Sequence, residues 1–238
     1  MTSKTKAIVL SSIKYGEADL IVKCYTEIGV RSYLLKRILK SKNSKLKASY
    51  FQPLTQLQLV ASHNEKGSLN YIKEANTYSP YRTVHTNIIK QTIAFFLSEV
   101  LSKSLHEEEI NEELYKYLET SLIWLDTHDD ITNFHLIFLL KLSKHLGFYP
   151  DKENSHFNYF DLQEGVFLEH TTRNEYITDK DLSLFRILLG TNFDRLDLLK
   201  FTGKERQRTL DILIRYFELH LPMFQKPKSL TVLKTVFV

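Results

Sequence analysis

The sequence predicts an α+β chain, with a five-stranded β-barrel at the N-terminus followed by an all-helical domain that carries a small β-hairpin insertion. Three observations lead there. Up to about residue 78 apolar residues alternate or fall in short runs, the period of strands. After "YSPYR" they recur at spacings of three and four, the period of core-facing helices. Between Pro150 and Asn174 the helical period lapses.

"KAIVLSS" is a short block of aliphatic and β-branched residues, and "DLIVKCYT" places Leu20, Val22 and Cys24 on one face. "RSYLL", "LTQLQLVAS" and "LNYIKEA" supply three more strands. "YGEAD", "EIGV" and "HNEKGS" read as turns, with Gly16, Gly29 and Gly67 available for positive φ. Five short strands suit closure, because a closed barrel leaves no long unpaired edge. An OB-type barrel is one solution, although strand count does not select it.

In the second part, "NIIKQTIAFFLSEVLSKSL" puts Ile89, Ile93, Phe96, Leu97, Val100 and Leu101 on one stripe. "NEELYKYLETSLIWL", "NFHLIFLLKLSKHLG", "DKDLSLFRILLG" and "RQRTLDILIRYFELHL" repeat the pattern, for a bundle of about five to seven helices. Asn111 and Thr178 or Asp179 are expected N-caps, and Gly147 and Gly190 expected stops. "FNYFDLQEGVFLEH" reads as a hairpin turning at Gln163 to Gly165. The expected domains are 1–79 and 80–238, with the insertion at about 151–176.

A single cysteine, Cys24, excludes an internal disulfide and, being in an apolar run, reads as a small buried hydrophobe. No signal-peptide core opens the sequence and no apolar run reaches the roughly 18 residues of a membrane span. A soluble, cytoplasmic protein is expected. Net charge is +4, but residues 1–80 hold 13 basic and 5 acidic side chains, whereas residues 81–238 hold 19 and 23. An excess of +8 in one third of the chain is suited to a polyanion.

Signals for enzymatic chemistry are thin. There is no phosphate-cradling glycine loop, nucleophile elbow or paired-histidine zinc motif. "LHEEEINEE", with His106 and Glu107 to Glu109, reads as a charged loop and helix start, and His135, His145 and Trp124 as packing residues. No cofactor is expected.

The stretch "LLKRILKSKNSKLKASYFQP" carries Lys36, Arg37, Lys40, Lys42, Lys45 and Lys47 with no acid. An interfacial helix would continue the stripe of Leu34, Leu35, Ile38 and Leu39 at positions 42 and 43, which are Lys42 and Asn43. The segment instead reads as a basic connection between strands, able to approach phosphates. Tyr15, Tyr25, Tyr33, Tyr50 and Phe51 are candidate stacking faces for unpaired bases. Alternation places Arg31, Tyr33, Leu35 and Arg37 on one face, with Tyr33 the expected exposed ring. The candidate nucleic-acid-binding set is Arg31, Tyr33, Lys36, Arg37, Lys40, Lys42, Lys45 and Lys47.

With these motifs in order, the sequence resembles the RecO family of bacterial recombination and repair mediators. The resemblance runs from "KAIVLSSIKYGEADL" through the lysine-rich loop ending at Gln52-Pro53 and the H-L-G-F of His145 to Phe148 to the terminal "KPKSLTVLKTVF". It implies an N-terminal OB domain and a helical domain. It also implies binding to single- and double-stranded DNA, strand annealing, and help in loading RecA onto strands coated by single-strand-binding protein. Implied partners are RecR and the acidic C-terminal tail of the coating protein, whose pocket would lie in the helical domain with apolar walls and a basic rim; no residue of that rim is carried over by the resemblance, and Lys141, Lys144, Arg206 and Arg215 are the candidates, each equally readable as a solvated helix face. Many relatives carry a four-cysteine zinc site after the H-L-G-F helix. Here "DKENSHFNYFDLQEG" has no cysteine, so no metal is expected and Phe157, Tyr159, Phe160 and Phe167 are expected to hold the hairpin by packing. A basic membrane-surface module and a nucleic-acid-processing enzyme with an unfamiliar site remain the competing readings.

Overall fold

A computed structural model of the chain describes residues 2–40, 46–63, 69–105 and 110–237. The turn residues 64–68, the acidic cluster His106 to Glu109, and Lys42 and Lys45 lie outside the described residues. The chain divides into two compact units, residues 1–127 and 128–238.

The first unit is built on an antiparallel sheet of order β3-β2-β1-β4-β5. Its strands are β1 (Thr2–Tyr15), β2 (Asp19–Thr26), β3 (Gly29–Leu35), β4 (Gln56–Ser62) and β5 (Tyr71–Thr77). The long β1 serves two partners: Thr2 to Ile8 pair with β4 and Ala7 to Tyr15 with β2. A register shift between Val9 and Ser11 bends it there, as an extra residue on one strand does. The tight β1–β2 and β2–β3 turns use Gly16 and Gly29 at φ of 59° and 91°.

Closure is less complete than expected. The edge strands meet through one parallel bridge, Tyr33 to Asn70, where the Leu34 N–H donates to the Asn70 carbonyl at 2.9 Å and the Asn70 N–H to Ser32 at 3.0 Å. Among the described residues they form no continuous ladder. Inside lie Val9, Leu20, Val22, Cys24, Tyr33, Leu35, Leu57, Leu59 and Ala61, the alternating sets of four strands. Burial pushes the Cys24 thiol well above its ordinary range, which disfavours the reactive thiolate.

Two helices, α1 (Ile88–Ser104) and α2 (Glu112–Thr127), belong to this unit. The expected boundary at residue 79/80 marks the change of periodicity, whereas compactness divides the chain after Thr127. The stripe of α1 is buried at Ile93, Phe96, Leu97, Val100 and Leu101. Ile89 is 38% exposed in the first turn of the helix, where Asn87 accepts hydrogen bonds from the Ile89 and Lys90 N–H groups. Lys6 pairs with Glu119 at 3.0 Å, the Tyr78 hydroxyl donates to Glu119 at 2.7 Å, and the rings of Tyr25 and Tyr115 stack. These contacts fasten the sheet to α2.

The second unit contains α3 (Phe134–His145), a three-stranded sheet of order β7-β6-β8, α4 (Asp179–Leu189), α5 (Gly203–His220) and α6 (Leu230–Val236). The strands are β6 (Tyr159–Asp161), β7 (Val166–Leu168) and β8 (Tyr176–Thr178). The hairpin turns where expected, with the Asp161 carboxylate accepting from the N–H groups of Gln163 and Glu164. β8 adds a strand beyond the expected hairpin by pairing with β6. Phe160 packs on Phe167, Phe185 and Tyr216, and Tyr159 on Tyr176. The hairpin interior is thus filled by rings, and its segment, which has no cysteine, does not fit the four-thiolate zinc site that the resemblance implies. Among the described residues, no helix is long and apolar enough to cross a membrane.

Candidate nucleic-acid interface

The connection from β3 to β4 is anchored by its own apolar residues. Ile38 and Phe51 are buried in the barrel core, and Leu46 and Tyr50 pack partly against it. Of the short stripe Leu34, Leu35, Ile38 and Leu39, Leu35 and Ile38 are sunk in the core and cannot reach a membrane, Leu34 is half-buried, and only Leu39, 43% exposed, faces water. Between these anchors the cations face outward: Lys36, Arg37, Lys40 and Lys47 are all exposed.

The first part of the connection is tied to the β1–β2 turn. The Arg37 N–H donates to the Asp19 carboxylate at 2.7 Å, and the Leu39 N–H to the Ala18 carbonyl at 3.0 Å. Arg37 itself adopts a left-handed backbone, φ 56°. Such a conformation costs a non-glycine residue of order 1 kcal/mol or more and persists where neighbours impose it. Lys40 Nζ lies 2.6 Å from a Glu17 carboxylate oxygen. Residues 15–19, with Arg37 and Lys40, line an open surface pocket of about 490 Å³. Lys36 Nζ stands 5.5 Å from the centre of the Tyr71 ring, a cation–π distance.

Two candidates are placed differently from expectation. Tyr33 is fully buried, and its hydroxyl lies 3.0 Å from His63 Nε2. Alternation correctly groups Tyr33 with Leu35, but that face points into the barrel, so Tyr33 offers no ring to a base. Arg31 is half-buried and donates to the Val30 carbonyl at 2.7 Å. Among the candidate aromatics Tyr25 and Phe51 are also buried, Tyr50 is half-buried, and Tyr15 is 56% exposed. Tyr71, absent from the candidates, is 41% exposed. Its place at the start of a strand, after a polar turn, was its only signal.

In the second unit the four basic candidates separate. Lys141 lies with Lys144 and Lys152; burial, followed by repulsion from Lys152 and Lys144, lowers its pKa. Its ammonium donates to Asn192 Oδ1 at 2.7 Å, and Lys152 donates to the Leu189 carbonyl at 3.0 Å. Arg206 does not rim a pocket. It is 8% exposed, and its guanidinium donates to Asn133 Oδ1 and the Phe201 carbonyl, both at 3.0 Å. Its position on α5, three residues before buried Thr209 and four before Leu210, places it on the inward stripe. Arg215 is exposed but engaged by the carboxylates of Glu175 and Glu218.

Comparison with known proteins matches residues 1–81 to the family model described as Recombination protein O N terminal, and residues 85–230 to Recombination protein O C terminal. The chain is 47% identical over 238 residues to a protein named DNA repair protein RecO from Flavobacterium psychrophilum, covering all of both chains. It is 45% identical to that of Christiangramia forsetii and 37% identical over 241 aligned residues to that of Bacteroides fragilis, again over the full length of each. With both halves matched and full-length relatives well above 30% identity, the chain belongs to the RecO family of DNA repair proteins.

Proposed function

We propose that the chain acts in DNA repair and recombination as a mediator without bond-making chemistry. It holds single- and double-stranded DNA on the basic β3–β4 connection, promotes annealing of complementary strands, and with RecR helps load RecA onto strands coated by single-strand-binding protein. The observation that carries this reading is the outward row Lys36, Arg37, Lys40 and Lys47, held on a connection that Ile38 and Phe51 anchor in the core. Neutralised phosphates release counterions, and two strands facing one cationic surface repel each other less. Base pairing then supplies the driving force for annealing. The acidic tail of the coating protein is assigned to the lysines grouped at Lys141, Lys144 and Lys152.

Fluorescence anisotropy with single-stranded DNA across a salt series tests the DNA reading. Affinity should fall steeply with salt, and replacing Lys36, Lys40 and Lys47 with Glu should weaken binding and flatten the slope by about 0.7 for each phosphate that is no longer neutralised. An unchanged slope in a folded variant would place the DNA elsewhere. Repeating the titration with the tail peptide and a Lys141→Glu, Lys144→Glu variant tests the second surface.

A further inference from the structure

Tyr15 and Ile13 stand on the same face at the end of β1 and are 56% and 63% exposed. An exposed ring that shares a surface pocket with two cations, Arg37 and Lys40, points to a ligand with both an apolar face and a negative charge. A nucleotide has both. Tyr15 lines the same pocket of about 490 Å³ as Arg37 and Lys40.

The parts are held together before any ligand arrives. Tyr15 pairs across the turn with Asp19, and the Asp19 carboxylate receives the Arg37 N–H. The Ala18 carbonyl receives the Leu39 N–H. The cation-bearing turn is therefore stapled to the tyrosine-bearing turn, and Arg37, with its left-handed backbone, lies within the staple.

We infer that Tyr15, Arg37 and Lys40 form a subsite for one unpaired nucleotide of a DNA single strand, with its base stacked on the Tyr15 ring and its phosphate held by the two cations. The inference rests on the DNA-binding reading above and deepens it. In a duplex both faces of each base are already stacked, so the ring contributes only to single-strand binding. Arg37 and Lys40 serve both forms, because both carry phosphates. Tyr15 is then the residue that separates the two affinities.

The test uses the full chain in anisotropy titrations with a deoxythymidine oligonucleotide and with a duplex at equal salt. Tyr15→Ala should lower single-strand affinity roughly tenfold, the usual loss for one base–aromatic stack, while changing duplex affinity by less than about twofold. Tyr15→Phe, which keeps the ring, should bind the oligonucleotide within about twofold of wild type. Circular dichroism and melting temperature establish that both variants are folded. Wild-type binding with unaltered Tyr15→Ala affinity overturns the inference and leaves the DNA-binding reading standing, as does an equal loss on duplex and single strand. Wild-type protein that binds neither form overturns both.

Discussion

Lys40 and Glu17 form an exposed ion pair at 2.6 Å, with side-chain exposures of 63% and 87%, on the rim of the pocket beside Tyr15. Glu17 occupies the cation that a phosphate would use. Exposed pairs are worth about 0–1 kcal/mol, so Glu17→Gln should raise DNA affinity by up to about fivefold at low salt. The gain should shrink as salt screens the pair. Anisotropy of wild type and variant at two salt concentrations measures it, and weaker binding by the variant would mean that Glu17 helps to hold DNA.

Asp126 closes the first unit. Its carboxylate accepts the N–H groups of Arg82, Thr83 and Val84 at 2.8–3.0 Å, and its carbonyl accepts the buried Lys90 ammonium at 2.8 Å. Burial alone would raise the Asp126 pKa, but these N–H donors and the Thr83 hydroxyl outweigh it and hold the carboxyl below the usual range. A depressed carboxyl contributes stability above its unfolded pKa of about 3.9 and loses it as pH falls through the folded value. Asp126→Ala should cost about 2–4 kcal/mol near neutral pH and flatten the acid limb of the stability curve. Urea melts at several pH values would show this, and an unchanged acid limb would assign that limb to other groups.

Gly165 sits at φ 70°, and a Cβ there would lie 2.6 Å from the Tyr216 hydroxyl oxygen. That hydroxyl donates to the Phe148 carbonyl at 2.9 Å and has little freedom to retreat. Gly165→Ala should destabilise by about 2 kcal/mol, from backbone strain plus the clash. Combining it with Tyr216→Phe should relieve the clash and leave the strain. Thermal melts of the two single variants and the double variant should therefore be non-additive, and strict additivity would remove the clash from the account.

His135 is buried on α3 near Arg206, and burial, with repulsion from Arg206, lowers its pKa to about 3. The unfolded chain takes up a proton at this histidine near pH 6.5, and the folded chain does not. Stability at this site is therefore complete above pH 6.5 and declines as pH falls toward about 3, with a slope of up to about 1.4 kcal/mol per pH unit. Replacing His135 with Leu should reduce that slope between pH 6.5 and 4 in denaturant melts. A variant with the wild-type slope would show that the histidine titrates normally in the folded protein.

Much of this was legible in the sequence. The period change after "YSPYR", the turn glycines Gly16 and Gly29, and the hairpin at Gln163 to Gly165 all have local physical causes, and the structure places them accordingly. The basic connection was legible because charge is a property of composition. The bridge to Asn70 was not, since a contact between residues far apart in the chain leaves no periodic trace.

What the sequence determined by itself is the order of the five N-terminal strands and of the helices after them, and the cations concentrated in the first third of the chain, since periodicity and charge are local. Only the tertiary structure decided which of two equivalent strand faces turned inward, burying Tyr33 and leaving Tyr15 exposed. Alternation gives the spacing of a face and not its side. Packing also buried Arg206, despite its charge, because the side-chain oxygen of distant Asn133 and the nearby Phe201 carbonyl converge on its guanidinium. That convergence exists only when the chain is folded.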